Sequence, residues 1–447
     1  MSRNEGNKLF KAGVFLGAIL CVMLVAASGG AQQPPSEPSQ LVEQAIGLAV
    51  AGKPLAGVKL LESAPQDDIA VASILATLRV FAGDTAGALR GIEKSYPPAR
   101  EDKRPFAERV TPTSAIDAIV EEARHHRIVV INEAHHASQH RAFILRLLPR
   151  LRELGFSYYA AEAIAEDGKT LKSRGYPVRE TGFYTNDHVF GDVVRQALAL
   201  GLVPVAYEAT DSQATSNDPI DDINLREQEQ CRNLVERIFA KDAKARVILH
   251  VGFDHAMEKP KKEGGREIHW LAARLAAATG EDPLTIDQTE HSERGLGKES
   301  SPWKLAQSAG WLVEPIVLKR DNGDFHVSGH FAGLVDMQVL HPPTKWSDGR
   351  PDWLHSAGRS AFELPAEIQA QTGRLLAQVF VDSEGEDAVP FDRVILAPNA
   401  ARPKLLLAPG KYRIVVQDEQ GMEIKRVKLA WVVHPVGKTI PQKVGEG

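Results

Sequence analysis

Four short apolar runs in the middle of the chain alternate with helical patterns, and each run leads into ionisable residues. The runs cover residues 127–131, 156–161, 202–207 and 246–249, and a fifth run covers 284–286. Alternating strands and helices predict an α/β core with a mostly parallel sheet whose two faces are covered. Because parallel strands point the same way, their carboxyl ends meet at one edge, where α/β proteins bind ligands.

The rest of the chain divides into segments of different composition. A basic start, an apolar run and small residues up to Ala31 predict a secretory signal peptide at 1–31, followed by a Pro-rich linker at 32–40. Two similar helix–Ala-Gly–helix patterns predict a helical segment at 41–100 that resembles tetratricopeptide pairs. The α/β domain is expected at 109–320, an irregular connection at 321–369 and an antiparallel β-sandwich-like domain at 370–436.

Charge and cysteine content limit the possible partners. The net charge is −5, without a basic footprint, so nucleic acid is not expected as a partner. The predicted signal peptide indicates a periplasmic or secreted bacterial protein, and no second apolar run is long enough for a membrane span. An uncleaved membrane anchor is the alternative. Removal of the signal peptide takes Cys21 away and leaves Cys231, which sits in a helical pattern typical of buried packing. The sequence does not determine the oligomeric state.

Glutamate and histidine residues at the ends of the first two runs are the strongest candidates for chemistry. Glu133, His135 and His136 follow the first run, and Glu162 ends the second. A glutamate can take a proton from water, and a histidine can shuttle protons or hold a metal. We predict that Glu133 or Glu162 is a general base, and that His136 and His255 position the water or shuttle protons. The alternative is a polar strand end without catalysis.

Further along the chain, Arg141, Glu208 and Arg226 are predicted to contact the substrate. Glu208 ends the third run, and a salt bridge to an arginine such as Arg226 is an equal alternative for it. Arg226 lies near the start of a helical pattern, where it could bind an anionic group or form a surface pair.

The fourth run ends at His250, and His255 follows five residues later. We expect His250 to be a satisfied core histidine and His255 to belong to the site. Gly252, between them, would allow a turn that brings His255 back over the strand end.

These motifs, in this order, resemble the superfamily that contains erythromycin esterases, ChaN-type haem-binding lipoproteins and Tiki/TraB-type proteases. The matching segments are 131–136, 161–163, 226–227 and 251–255, and the resemblance covers about residues 128–288. Two departures stand out: Asn132 replaces a glycine that the family usually has before Glu133, and Glu227 replaces an aspartate. The esterase branch points to His136 and the ChaN branch to His135, because their histidines follow the glutamate by three and two residues.

The resemblance implies an exported hydrolase, esterase- or protease-like, that acts on a small-molecule or peptide substrate with or without a metal. No Gly-x-Ser-x-Gly elbow is present, which argues against a covalent serine mechanism. No cofactor is certain; a divalent metal at His135 and His255 is one option, and haem bound through either histidine is an alternative function. A third reading is an interaction scaffold without catalysis.

Overall fold

The computed structural model describes residues 37–95, 106, 108–210, 216, 218–294 and 299–432. The predicted signal peptide and the first part of the linker lie outside these residues. The first helix begins at Glu37, so the helical segment starts earlier than the sequence pattern indicated. Within the described ranges, no helix combines the length and apolarity that crossing a membrane requires.

Four helices form the N-terminal segment as two helical hairpins. Their apolar faces meet in one buried cluster, which includes Ile46, Leu61 and Leu78. Asp68 caps the third helix, because its side chain accepts hydrogen bonds from the backbone N–H groups of the first turn. The helices are α1 Glu37–Val50, α2 Pro54–Glu62, α3 Ile69–Phe81 and α4 Thr85–Ser95.

A six-stranded parallel sheet forms the α/β core in the order β10-β8-β2-β5-β3-β4. The strands to this point in the chain are β1 Val110–Ser114, β2 Ile128–Glu133, β3 Tyr158–Ala161, β4 Val203–Val205, β5 Val247–Gly252, β6 Lys261–Glu263, β7 Arg266–Ile268, β8 Leu284–Asp287, β9 Ile316–Arg320 and β10 Met337–Gln338. The helices are α5 Ala115–Glu122, α6 Ser138–Glu153, α7 Gly168–Arg174, α8 His188–Ala199, α9 Pro219–Leu234, α10 Leu271–Thr279 and α11 Ser301–Ser308.

All five strands expected from apolar runs belong to this sheet, which confirms the α/β fold class. Both faces of β2 are buried: Val129 and Ile131 face one apolar cluster, and Ile128 and Val130 face another. Burial on both faces explains the continuous apolar runs. The sixth strand, β10, comes from the stretch that we expected to be irregular, because a two-residue strand is too short to show a pattern.

The C-terminal part is an antiparallel β-sandwich, as predicted. A four-stranded sheet in the order β15-β14-β17-β18 faces the two-stranded sheet β13-β16 across a buried cluster that includes Val379, Leu405 and Ile414. The strands of this part are β11 Trp346–Ser347, β12 Arg350–Pro351, β13 Ser360–Phe362, β14 Leu375–Val381, β15 Asp392–Leu396, β16 Leu405–Leu407, β17 Gly410–Gln417 and β18 Glu423–Val432.

The N-terminal helices are fixed by both of the other parts. On the sandwich side, Arg393 of β15 donates a hydrogen bond to the Phe81 carbonyl at 2.9 Å. On the α/β side, the Phe81 ring packs edge-on against Phe183, with ring centroids 5.2 Å apart. Phe183 precedes Tyr184, which lies near the ends of the parallel strands. The helical segment is therefore held beside the predicted functional edge.

Candidate active site

Glu133, at the end of β2, is buried and fully engaged by cationic and imidazole groups. Arg141 of α6 donates two hydrogen bonds to its carboxylate, Nε to Oε2 at 2.7 Å and Nη2 to Oε1 at 2.6 Å. Burial would raise the pKa of the Glu133 carboxyl, but the charge of Arg141 and the nearby His250 hold that pKa well below its usual range. Glu133 is therefore a permanent anion, and its geometry is fixed.

Arg141 also binds Asp187, with Nη1 2.7 Å from Oδ2, and its own side chain is fully buried. Asp187 in turn caps α8 by accepting a hydrogen bond from the Val189 N–H. The guanidinium of Arg141 is shared by two buried carboxylates, so the side chain is already engaged within the protein; its contact with a substrate stays a prediction. Its place is at the centre of a buried ion-pair network.

His250 behaves as the core histidine that the sequence suggested. Its Nε2–H donates to Glu133 at 3.0 Å, and its Nδ1 accepts from the Tyr159 hydroxyl at 2.8 Å. The ring stacks on Phe190 with centroids 4.6 Å apart. Both ring nitrogens of His250 make hydrogen bonds within the protein. His250 therefore holds the Glu133 carboxylate in place and is not available to a ligand.

Glu162, after β3, forms a second charged group with Arg226 and Glu208. Arg226 donates from Nη2 to Glu162 at 2.7 Å and to Glu208 at 2.6 Å. Glu208 also accepts from the Gln230 amide at 2.9 Å. These contacts match the salt-bridge alternative for Glu208, and they engage Nε and Nη2 of Arg226. Neither Arg226 nor Glu208 lines the cavity described below, and their contact with a substrate stays a prediction.

His255 is held between two glutamates. Its Nδ1 lies 3.0 Å from a Glu227 carboxylate oxygen, and its Nε2 lies 3.5 Å from Glu162. Burial opposes the charged form, but Glu227 and Glu162 outweigh it and raise the pKa of His255 to about 9. At neutral pH His255 is an imidazolium that carries a proton on each nitrogen. Both ring nitrogens already lie against carboxylates, so neither is directed at an open position where a metal or haem could bind.

His135 contacts the buried Glu133 and also lines the cavity described below. Its Nδ1 donates to Glu133 at 3.3 Å, and its side chain is 12% exposed. The ring stacks on Tyr184 with centroids 3.8 Å apart and meets Phe253 edge-on at 5.1 Å. No hydrogen-bond partner for its Nε2 is present among the described residues. His135 is thus oriented on one nitrogen and free on the other.

Gly252 leaves space for this ring. A Cβ at Gly252 would lie 2.5 Å from Cε1 and 2.9 Å from Nε2 of His135, and 3.1 Å from Oε2 of Glu162. The backbone of Gly252 is extended, so it does not make the turn we expected of it. Phe253 makes that turn with a φ of +36°, a conformation that costs energy for a non-glycine residue.

The Asn132 side chain explains one departure from the family pattern. It donates to the Phe253 carbonyl at 2.9 Å and to Asp287 at 2.8 Å, and it accepts from the Gln288 N–H at 2.7 Å. A glycine could make none of these bonds. Asn132 therefore ties the ends of β2, β5 and β8 together.

A cavity of about 370 Å³ lies between the sheet edge and the N-terminal helices. His135, His136, Tyr184 and Phe253 line it on the side of the sheet edge, whereas Glu133, Glu162 and His255 lie behind this layer. The predicted site residues thus gather at one edge, but the carboxylates face the cavity only through His135.

His136 also lines the cavity, in a different electrostatic environment from His135. Burial, and then the charge of Arg294, lower the pKa of His136 to about 3, so the imidazole is neutral. Its ring makes no hydrogen bond within the described part of the chain. The two neighbouring histidines therefore have different environments: His135 is held by a carboxylate, whereas His136 presents two unengaged nitrogens.

Tyr184 and Arg294 both line the cavity, and sequence reasoning missed both. Tyr184 lies in the single-turn helix Tyr184–Asn186, which has no periodic pattern to mark it. Burial and the nearby Glu162 raise the pKa of the Tyr184 hydroxyl far above its ordinary value, so it stays protonated. Among the described residues it has no hydrogen-bond partner, which makes it a donor available to a ligand.

A divalent metal does not fit these residues. In the described ranges, no group of three or more His, Cys, Asp or Glu side chains is arranged to hold a metal ion. The two central carboxylates already bind Arg141 and Arg226, and His255 is protonated. Cys231 is buried, and burial raises the pKa of its thiol to about 11, which agrees with a packing role rather than a nucleophile.

The charged state of His255 predicts how stability depends on pH. Its folded-state pKa of about 9 lies above the ordinary 6.5, so its ion pairs stabilise the fold fully below pH 6.5. That contribution disappears as the pH rises through about 9. We expect the free energy of unfolding to fall more steeply between about pH 6.5 and 9.5 in the wild type than in His255→Gln.

Chemical denaturation at several pH values measures this difference, and an NMR titration of the His255 ring in the wild type checks it independently. An imidazole that titrates near its ordinary pKa would contradict the expected charged state.

Comparisons with known proteins give no family assignment. No protein-family profile and no curated protein matches the chain. Solved structures with similarity include a bacterial protein toxin (14% identity over 49% of this chain and 45% of that chain, TM-score 0.30), the haem-binding ChaN of Campylobacter jejuni (12%, 46% and 97%, 0.31) and RRSP, a MARTX toxin effector domain from Vibrio vulnificus CMCP6 (14%, 67% and 49%, 0.30). The match thus spans about half the length of the two toxin chains. At TM-scores this low, the likeness carries no conclusion about activity or ligand.

Proposed function

We propose that the protein is a hydrolase that cleaves a small ester or amide in the cavity next to His135. The observation that carries the proposal is the position of this residue: Nδ1 donates a hydrogen bond to the permanently charged Glu133, and His135 lines the cavity. A histidine oriented by a carboxylate on one nitrogen is a suitable general base on the other. The motif resemblance to a superfamily that includes esterases and proteases supports the same reaction class.

The reaction follows from the protonation states. In the proposed step the Nδ1–H of His135 donates to Glu133, and Nε2 accepts a proton from a water molecule in the cavity. The water oxygen forms a bond to the substrate carbonyl carbon, and the carbonyl electrons move to its oxygen. When the tetrahedral intermediate collapses, the bond to the leaving group breaks and His135 returns the proton to that group. Glu133 stays ionised throughout and stabilises the imidazolium that forms.

Tyr184 is the candidate donor for the negative oxygen of this intermediate. Its hydroxyl is protonated and unpartnered, and its ring stacks directly on His135. Hydrogen-bond donors that are already in place when charge develops contribute strongly to such reactions. Tyr184 thus supplies the hydrogen-bond donor for this oxygen, a role that we had not assigned to any residue from the sequence.

Glu162 and His255 act on this centre indirectly. Glu162 accepts a hydrogen bond from the Gly252 N–H at 2.7 Å, directly below the His135 ring. His255 and Arg226 hold Glu162 in place from the other side. We therefore propose that these residues position the end of β5, whereas the sequence had suggested that they contact the water themselves.

The size of the cavity favours a small molecule over a polypeptide. A volume of about 370 Å³ lies near the lower end of the range for small-molecule sites. A panel of para-nitrophenyl esters and anilides of increasing acyl length tests the proposal. Release of nitrophenol or nitroaniline above the uncatalysed rate supports it, and the absence of turnover across the whole panel would count against it.

Replacement of Gly252 tests the position of His135 without removing any charged side chain; the new Cβ would also lie 3.1 Å from Oε2 of Glu162. We expect Gly252→Ala to lower kcat/KM by up to about 100-fold, because the new methyl group would force the His135 ring to move and a displacement of about 1 Å is enough for such a loss. Gly47→Ala is the matched control, since a Cβ there meets nothing within 4 Å. Equal activity of the two variants would show that the position of His135 does not matter.

A further inference from the structure

The cavity has two chemically different walls. Helices α3 and α4 supply one wall, where the apolar side chains Ile74, Leu89 and Ile92 alternate with the hydroxyls of Ser73, Thr77 and Thr85. The Thr85 hydroxyl has no hydrogen-bond partner in the described part of the chain. This wall suits the apolar body of a ligand, with a polar contact at Thr85.

The opposite wall carries an arginine that has no direct ion pair among the described residues, although Glu290 acts on it at longer range. Arg294 lines the cavity and is only partly buried, and no salt bridge to it is present among the residues that the structure describes. Its charge acts on the neighbouring His136, which is neutral and also unengaged. A guanidinium offers several N–H donors, and a neutral imidazole adds one N–H donor and one acceptor nitrogen.

The carboxylates on this wall are already occupied. Glu290 accepts a hydrogen bond from the His330 N–H at 3.1 Å, and Glu293 accepts one from the Thr344 N–H at 2.8 Å. Asp254 pairs with the His330 ring at 2.8 Å. Arg294 and the protonated Tyr184 hydroxyl thus face the cavity as hydrogen-bond donors without a partner among the described residues, which favours a negatively charged acceptor beside Arg294.

We infer that the substrate carries one anionic group, such as a carboxylate, which Arg294 and His136 bind while its apolar body packs against α3 and α4. Because it names the substrate class of the same cavity, this inference rests on the proposed hydrolysis. Arginine suits this task because its planar guanidinium matches a carboxylate with two parallel hydrogen bonds. The helical segment then serves as the specificity wall of the site rather than as a separate binding module.

Two esters with equal acyl length test the inference on the full chain. Mono-para-nitrophenyl glutarate carries a terminal carboxylate, and para-nitrophenyl pentanoate carries a methyl group in its place. We expect kcat/KM to favour the glutarate ester by about 10- to 100-fold, the value of one charge-assisted contact. Arg294→Gln should bring this ratio close to one, and Arg294→Lys should restore part of it. Arg109→Gln, at a highly exposed arginine, is the control that should keep the ratio.

The outcomes separate the inference from the proposed function. If both esters are hydrolysed but the ratio is near one, or if Arg294→Gln leaves it unchanged, the inference is wrong and the hydrolase stands. If neither ester is hydrolysed, calorimetric titration with glutarate decides: binding to the wild type that Arg294→Gln abolishes supports the anion site while the hydrolase fails. The absence of glutarate binding in that case overturns the inference as well.

Discussion

Replacing Arg141 with methionine is expected to lower the free energy of unfolding by about 3–5 kcal/mol, the usual cost when one partner of a buried ion pair is removed. Methionine fills much of the same volume without the charge. The cost arises because Glu133 and Asp187, which are both buried, would lose their shared cation. Each carboxylate would then have to be buried as an uncompensated anion or take up a proton. Chemical denaturation measures the change.

Arg150→Met is the matched control for this experiment. Arg150 lies on the same helix, α6, but its side chain is 45% exposed and its ion pair with Asp117 spans 3.5 Å. Exposed pairs of this kind contribute about 0–1 kcal/mol. If the two variants unfold at the same denaturant concentration, Arg141 does not hold the buried network together, and the structural role assigned to it here is wrong.

The same geometry changes what a substitution at Glu133 can reveal. Glutamine keeps the shape of glutamate, but in Glu133→Gln the Arg141 guanidinium would lose one of its two carboxylate partners. A loss of activity in this variant would therefore mix a stability effect with a catalytic effect. His135 gives the cleaner test, because it lines the cavity and its contact with Glu133 is a single bond of 3.3 Å.

The sequence predicted the parallel sheet and the location of its functional edge because both depend on local patterns. Each apolar run is a buried strand, and the ionisable residue after it must lie where the strand ends. Glu133, Glu162 and His255 could be placed at one edge for this reason alone. Fold class followed from the same alternation of strands and helices, and the alternating tail predicted the sandwich.

The roles of the individual side chains could not be predicted, since they depend on contacts between distant residues. The second partner of Arg141, Asp187, could not be identified from the sequence. Tyr184 lies in a short helical turn without a periodic pattern, and its proposed role depends on its stacking on the His135 ring. No sequence pattern distinguishes Arg294 from an arginine at the protein surface. The helical wall of the cavity comes from residues about fifty positions upstream of Glu133 and His135, and only the tertiary packing brings these residues to the cavity.

Replacing His135 with glutamine is expected to lower kcat/KM for ester hydrolysis by about 100- to 10,000-fold, the usual loss when a general base is removed. Glutamine is polar and similar in length, so it can still donate a hydrogen bond to Glu133, but it cannot accept a proton from water near neutral pH. The Glu133–Arg141 pair stays intact, and we therefore expect only a small change in the free energy of unfolding. Hydrolysis rates and denaturation curves of the same preparation measure both quantities.

The comparison with His136→Gln distinguishes the two branches of the family resemblance. His136 has no carboxylate partner, and its low pKa makes it a weak base, so the variant should lose far less activity than His135→Gln. His125→Gln, at an exposed histidine on the opposite end of β2, controls for the chemistry of the substitution itself. If His136→Gln were the inactive variant and His135→Gln kept its rate, the base would be His136, and the Glu133–His135 bond would serve only to anchor the strand end. The expected difference between the two variants has one physical cause: the Glu133 carboxylate accepts a hydrogen bond from the His135 ring, whereas no carboxylate among the described residues accepts one from the His136 ring.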